Sequence, residues 1–536
     1  MSPSSVEHTD QADQTHRRDH SFRLGIDVGG THTDAVILDA TDRVIASTKT
    51  PTTEDITTGI VQALHAVLTA SQLPPVAIAY AMLGTTHCTN AVVTRRELNT
   101  VGVIRLGAPA TRAIEPLLTW PQDLKRVVGV RHAILHGGHE YNGEPLSELD
   151  EQEVRQTARA FKGHVHALAV SGVFSSVNAT HELRVREIVE EELGADIPVS
   201  LSSEIGSISL LERENATVLN AALMRVAQRA MQGFEQAVRQ LNIPATLFLG
   251  QNDGSLMSLD YAVQYPIFTI ASGPANSIRG AAALSQLRDA IVVDIGGTTT
   301  DIGVLHKGFP RESQLAVEIG GVATNFRMPD LISIGLGGGS RVHPEEAVCV
   351  GPDSVGYRLQ TEARVFGGSQ LTATDLAVAA GRIRLGNPGR VQALPKTTLN
   401  KGLDYIQHTL EEYIDRVKLS ADPVPVVAVG GGNILFPDAL RGVSEIIRPE
   451  QAGVANAIGV AIAQVSGTVD SVFSLENLSR TEALDQATAL ASERTVAAGA
   501  APDRVEVLDL EEVPLAYLPG NAVRIKVKAV GSLKTV

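Results

Sequence analysis

The sequence predicts an α/β protein of two related lobes with mixed sheets and a short C-terminal extension, and three observations carry that expectation. Short apolar runs bounded by turn residues alternate with helical patterns along most of the 536 residues, as in strands joined by crossover helices. The pattern DxGGTxTD occurs twice, 267 residues apart: Asp27, Gly29, Gly30, Thr31, Thr33 and Asp34 match Asp294, Gly296, Gly297, Thr298, Thr300 and Asp301 at identical spacing. Copies so far apart exclude a solenoid and suggest two lobes facing one another. Glycine is abundant, 48 residues against 4% aromatics, which suits tight backbone turns around a ligand better than an aromatic-lined groove.

Taken in order, residues 1–22 have no apolar core for a secretory signal and too many acids for a transit peptide, so they read as a disordered tail. FRLGIDVGGTHTDAVILDATDRVIAST reads as strand, tight hairpin, strand, strand, and GIVQALHAVLTA as a helix. Strands follow at VAIAYAML and TVGVIRL, then a helix at EQEVRQTARAF and a strand at HALAVSGVF. An amphipathic helix runs from Ala179 to Leu193, its acidic run EIVEEEL forming a solvated face. Apolar residues near 3.6 spacing from Leu210 to Leu241 predict a long helix able to join two lobes. IVVDIGGTTTDIGVL then restarts the opening pattern. The expected units are a first lobe over 23–209, a helical connection and crossover over 210–289, a second lobe over 290–470 and an α/β extension over 471–536.

Composition narrows the function classes. With 45 basic and 60 acidic residues the formal charge is −15, which argues against a nucleic-acid or anionic-membrane surface. Two cysteines, Cys88 and Cys349, cannot make a disulfide framework, a four-cysteine zinc site or an iron–sulfur cluster within one chain, and they suit a reducing cytosol. No stretch approaches the roughly 18 apolar residues of a membrane span; VANAIGVAIAQV comes nearest and reads as a packing helix. A soluble, cytoplasmic protein is expected.

Each repeated hairpin has the chemistry of a phosphate site. Glycines let backbone N–H groups turn toward an anion, and threonine hydroxyls add donors. An aspartate at the end of the preceding strand would repel phosphate alone but makes sense beside Mg²⁺, which meets one or two carboxylates and keeps several waters. A third cluster, Gly430, Gly431 and Gly432, follows the buried-type strand VPVVAV and offers either close backbone approach to an adenosine or an ordinary strand-to-helix turn. It is neither GxGxxG in a βαβ unit nor GxxxxGK[ST], which excludes the dinucleotide and P-loop readings. His32, His87 and Cys88 lie in motif loops without a HExxH or CxxC around them, so no transition-metal site is assigned. Ser272 in ASGPA reads either as a nucleophile loop, although it is not GxSxG, or, preferably, as the start of a small-residue helix with Pro274. Asp375 reads either as a residue approaching the site or as part of a helix start capped by Thr372 or Thr374.

The three glycine elements, in this order, resemble the two phosphate segments and the adenosine segment of the superfamily of actin, the heat-shock chaperone ATPases and the sugar kinases. GTTHCTNAVVTRR, ERENATVLNAAL, NDGSLMSLDYAVQYPIFTIASGPANSIRGA, SIGLGGGS and PLAYLPGNA narrow the resemblance to the ATP-binding A subunit of the hydantoinase and oxoprolinase family, from about Leu24 to about Gly531. The chain departs from that pattern in carrying Leu83 where many members have histidine, with His87 a few residues on, and in having YRLQTEARVFGGS after the VGPDS block. The resemblance implies a two-lobe actin-like (ribonuclease H-like) fold with MgATP between the hairpins. Phosphate and nucleotide would be bound by Gly29, Gly30, Thr31, Thr33, Gly296, Gly297, Thr298, Thr300 and Gly430–Gly432, metal would be held by Asp27 and Asp294, and catalysis would involve Asp27, Asp294 and Asp301. It further implies phosphorylation of the carbonyl oxygen of a cyclic amide (hydantoin, oxoproline or lactam type) to drive ring opening, with a separate B-type subunit as partner and a homo-oligomer left open. The alternatives are a carboxylase subunit activating a ketone or bicarbonate, and a noncatalytic conformational ATPase.

Overall fold

The computed structural model describes residues 22–533 apart from 54, 207, 314–316, 327, 345–347, 477, 517 and 519–520. The expected tail lies outside them, except for Phe22, which opens the first strand.

Strand Phe22–Val28 turns back into His32–Leu38 and then Val44–Pro51, all antiparallel, while its other edge pairs parallel with Ile78–Thr85. Leu24, Ile26 and Val28 alternate with Gly25 and Asp27, and the apolar set is buried beneath helix Ile56–Ser71 and the far half of helix Leu210–Gln240. Each fully buried Leu or Ile there contributes about 1.5–3 kcal/mol. The opposite face lies under helix Ala455–Ile462, where Val36 and Leu38 meet Ala457, Ile458 and Ala461. The sheet is covered on both faces, which is why its strands read as near-continuous apolar runs.

That sheet has nine strands, and the three at its far edge come from the end of the chain: Val465–Phe473 pairs along its whole length with Val523–Leu533, which pairs with Ala500–Pro514. The boundary expected at 470 therefore falls inside a strand, and the extension continues the first lobe's sheet. Residues 101–201 form a second, four-stranded parallel sheet with its own core of Ile104, Leu106, Val170 and Val185, so the stretch 23–209 builds parts of two sheets. The long helix, Leu210–Gln240, about 46 Å at 1.5 Å per residue, runs between these two sheets, with Leu219 and Leu223 in one core and Met231 and Phe234 in the other. Its Glu214 receives a bidentate ion pair from Arg105 (2.7 and 2.5 Å), both side chains being buried.

The second lobe repeats the local plan. Ala290–Ile295 and Thr300–His306 form an antiparallel hairpin, and Val424–Val429 pairs parallel with the first of them, as Ile78–Thr85 does in the first lobe. Between the lobes, helices Ser272–Ser285 and Ala455–Ile462 pack so closely that a Cβ on Gly459 would lie 1.8 Å from the Asn276 carbonyl oxygen. Among the described residues no helix is long and apolar enough to cross a membrane.

Candidate active-site cleft

Both hairpins close in the same way. The Gly29 N–H donates to His32 O (3.0 Å) and the Gly296 N–H to Thr299 O (2.8 Å). Asp27 stands opposite Asp34, and Asp294 opposite Asp301, at identical registers. All four line one cleft of about 360 Å³, with Gly29, Gly30, Thr31, Gly296, Gly297 and Thr298 at the turns and Gly430–Gly432 along one side. Leu359, Phe366, Leu385 and Ile434 give the cleft an apolar patch. Loop glycines from the SIGLGGGS segment brace the second turn: Gly338 and Gly339 donate to Gly296 O and Gly297 O (3.0 and 2.7 Å), and the Thr374 hydroxyl holds Gly338 O at 2.8 Å.

Two expected ligands face elsewhere. Thr33 and Thr300 are fully buried, Thr33 Oγ1 standing 3.4 Å from Thr52 Oγ1 and Thr300 Oγ1 donating to Leu336 O at 2.5 Å. The cause is strand alternation: side chains next to Asp34 and Asp301 point to the opposite face. The third glycine cluster lines the cleft and packs against the second hairpin at two of its three positions. A Cβ on Gly430 would lie 2.1 Å from Asp294 Oδ1, and Gly432 is tied by its N–H to Ile295 O at 2.7 Å, so these two pack against the second hairpin. Gly431 alone has open space beside it. Gly84 is the counterpart in the first lobe, its imagined Cβ 2.2 Å from Asp27 Oδ1; each carboxylate thus rests over a glycine of the neighbouring parallel segment.

The electrostatics are lopsided. Lys49 Nζ lies 2.5 Å from Asp34 Oδ1, while Asp27 and Asp294 have neutral partners: Asn456 Nδ2 donates to Asp27 Oδ2 (2.8 Å) and Ser277 Oγ to Asp294 Oδ2 (2.5 Å). Burial, then Asp34 and Asp294, push Asp27 up to about 6 against the pull of the Asn456 and Asn276 amides. Burial raises Asp301 to about 6, Asp294 adding to it while Ser333 opposes, and burial likewise raises Asp294. Asp27 Oδ1 and both polar atoms of the Asn276 amide are buried without closing a hydrogen bond among the described residues. Buried polar groups are nearly always paired, so this orphaned trio and the carboxylate excess fit a hydrated Mg²⁺. No group of three or more His, Cys, Asp or Glu is arranged to hold a metal by itself among the described residues.

Sequence reasoning missed Lys49, Ser277 and Asn456. Lys49 pairs with Asp34 across the strands, a signal that exists only once register is known. Asn456 and Gln464 are the two polar side chains in VANAIGVAIAQV, and a polar residue inside that apolar run was the signal. Ser272 does start a helix, its hydroxyl donating to Thr85 O at 3.3 Å. Asp375 forms a capping box with Thr372 and also accepts from Val365 N, so its carboxylate is consumed locally. Another cavity, about 430 Å³, lies around Asp253, Arg494 and Phe268 and contains none of the repeated residues; the duplicated chemistry singles out the smaller one.

Two lobes carrying matched carboxylate hairpins across one cleft define an actin-like two-lobe fold. The hydantoinase/oxoprolinase N-terminal region matches residues 23–193, and the hydantoinase/oxoprolinase domain matches 213–392; the chain belongs to the hydantoinase/oxoprolinase family. It is 30% identical over 400 residues to the acetophenone carboxylase gamma subunit of Aromatoleum aromaticum, covering 67% of this chain and 53% of that protein. It is 29% identical over 399 residues to the caprolactamase subunit alpha of Pseudomonas jessenii, covering 68% and 55%. The chain thus spans about half the length of these two relatives. The crystal structure of the ATP-dependent caprolactamase from Pseudomonas jessenii superposes with a TM-score of 0.75 at 20% identity, over 96% of this chain and 88% of that one.

Proposed function

We propose that the cleft binds MgATP and that the chain transfers the γ-phosphoryl group to the carbonyl oxygen of a cyclic amide. The observation that carries this reading is the duplicated Asp-over-glycine arrangement with its orphaned Asp27 Oδ1. Hairpin N–H groups, Thr31 and Thr298 would hold the phosphates, and Asp27 and Asp294 would hold Mg²⁺, mostly through water. The ion would neutralise charge on the phosphates during transfer. Gly431 would border the nucleoside, and Asp301 would complete the carboxylate set.

A resonance-stabilised amide is a poor electrophile. Attack of its oxygen on the γ-phosphorus forms an O–P bond as the bond to the ADP oxygen breaks, and the amide nitrogen releases its proton. The resulting imidate-like phosphate carries a good leaving group. Water then adds at the carbon and the C–N bond opens with nitrogen taking a proton, which leaves an acyl phosphate; a second water attacks its acyl carbon, and phosphate departs with the former carbonyl oxygen. A B-type subunit, encoded separately, would assist the water step, and the reaction would take place in the cytoplasm. The kinship with caprolactamase supports the cyclic-amide acceptor, while that with acetophenone carboxylase supports a second reading in which a ketone or bicarbonate is activated in the same cleft.

The test supplies carbonyl ¹⁸O-labelled lactam, hydantoin or oxoproline, with and without the B-type subunit. Label in the released phosphate is the expected result. Ring opening at full rate without ATP, or unlabelled phosphate, refutes the reading, and bicarbonate-dependent product from a ketone selects the second one.

A further inference from the structure

Behind the first hairpin, on the side to which Thr33 points, lies a separate cavity of about 260 Å³. Thr33, Thr52, Thr53, His87 and Asn90 line it, and Gly59 of helix Ile56–Ser71 leaves it room. It shares Gly29, Gly30 and Thr86 with the nucleotide cleft, so an occupant touches the same glycine turn as a ligand in the cleft. A Cβ on Gly30 would meet nothing within 4 Å; the shared turn has open space beside it.

The described residues that line this cavity include no Lys, Arg, Asp or Glu. They offer hydroxyls, one primary amide and an imidazole. The imidazole's Nδ1 is engaged by the Thr85 hydroxyl, and burial lowers its basicity. Thr52 and Thr53 spend their hydroxyl protons on Gly29 O and Asp55 O (2.8 and 2.5 Å), which fixes the orientation of the wall. The start of helix His87–Thr94 adds only a partial positive charge. An anion entering would lose its hydration without gaining a cation from the described lining, and would be disfavoured. A neutral carbonyl compound loses one or two hydrogen bonds, which the wall replaces.

We propose that this cavity is the acceptor site, and that it selects uncharged carbonyl compounds (a lactam, an unsubstituted hydantoin or a ketone) over anionic ones such as oxoproline or bicarbonate. The inference rests on the phosphoryl-transfer reading and narrows it: His87, a departure from the family pattern, becomes a specificity-determining hydrogen-bonding group.

The experiment is calorimetry on the full chain. Affinity for a non-hydrolysable MgATP analogue is measured first; the saturated protein is then titrated with ε-caprolactam, hydantoin and acetone as neutral probes and oxoproline and bicarbonate as anionic ones. The expected result is binding of a neutral probe, at least tenfold weaker in His87→Leu, with the analogue's Kd within twofold of wild type. Asn90→Arg should admit oxoproline, a gain that a damaged fold could not produce. A wild-type chain that fails to bind the analogue overturns the proposed function and this inference with it. Analogue binding combined with no neutral probe bound, with anionic probes bound as tightly as neutral ones, or with unchanged variants overturns this inference alone.

Discussion

Gly84→Ala is the smallest substitution that moves a cleft carboxylate without altering it. Its Cβ would arrive 2.2 Å from Asp27 Oδ1 and 2.6 Å from Asn276 Nδ2, whereas ordinary contact begins at 3.4 Å. The strand bearing Gly84 is pinned on both sides, by Phe22–Val28 and by Thr246–Gly250, so the carboxylate rather than the backbone must retreat, by roughly 1 Å. A displacement of that size at a reacting centre costs about 10²-fold, or about 2.7 kcal/mol. Overpacking should lower stability by a further ~1–3 kcal/mol. The assay is calorimetric ATP affinity with Mg²⁺ and with EDTA, alongside a thermal melt. Mg²⁺-dependent turnover should fall about a hundredfold, and the Mg²⁺-dependent part of the affinity should fall while the EDTA value holds. A folded Gly84→Ala protein with wild-type MgATP affinity and turnover would refute the assignment of Asp27 to the metal. If the variant does not fold, Asp27→Asn, which adds no atom beyond a proton-bearing amide, reads the same quantity.

Three further outcomes are expected. Gly431→Val should keep its melting temperature, since open space surrounds the position, yet weaken MgATP at least tenfold in calorimetry; unchanged affinity would return Gly431 to an ordinary turn. Arg105→Met should cost about 3–5 kcal/mol in urea unfolding by stranding buried Glu214, and Arg105→Met with Glu214→Met should recover most of it; equal losses in both would show that packing, not charge, dominates there. Asp253, which burial alone would raise, is instead held near 2 by Lys528 at 2.8 Å and by the Ser255 and Ser466 hydroxyls. Its folded value lies below the ordinary one, so about 2 kcal/mol of stability is complete above pH ~4 and drains as pH falls toward 2; urea midpoints across that range should lose this slope in Asp253→Asn.

Much of the cleft was legible because it was repeated. Asp27 and Asp294 sit as the duplication implied, since identical hairpins impose identical registers. Thr33 and Thr300 satisfied the same pattern and yet point the other way, because a motif records spacing whereas facing depends on the strand's alternation relative to its turn. Helices such as Glu151–Phe161 were readable from amphipathic period alone. The nine-stranded sheet was not: pairing Val465–Phe473 near the strands of residues 246–258 is a contact across some 200 residues, and no local pattern encodes it. Lys49 was hidden for the same reason, its meaning residing in the partner opposite.

Asn276 and Ser277 are consecutive residues of one helix, and they stand beside carboxylates of different lobes, Asn276 by Asp27 and Ser277 bonded to Asp294. One peptide unit therefore acts as a gauge between the halves of the molecule. Lobes that opened and closed about this helix would swing widely at the margins of the cleft, while the span between the two aspartates stayed nearly constant. The pivot would coincide with the reacting centre rather than with the rim, so nucleotide exchange and retention of a correctly spaced metal pocket need not compete.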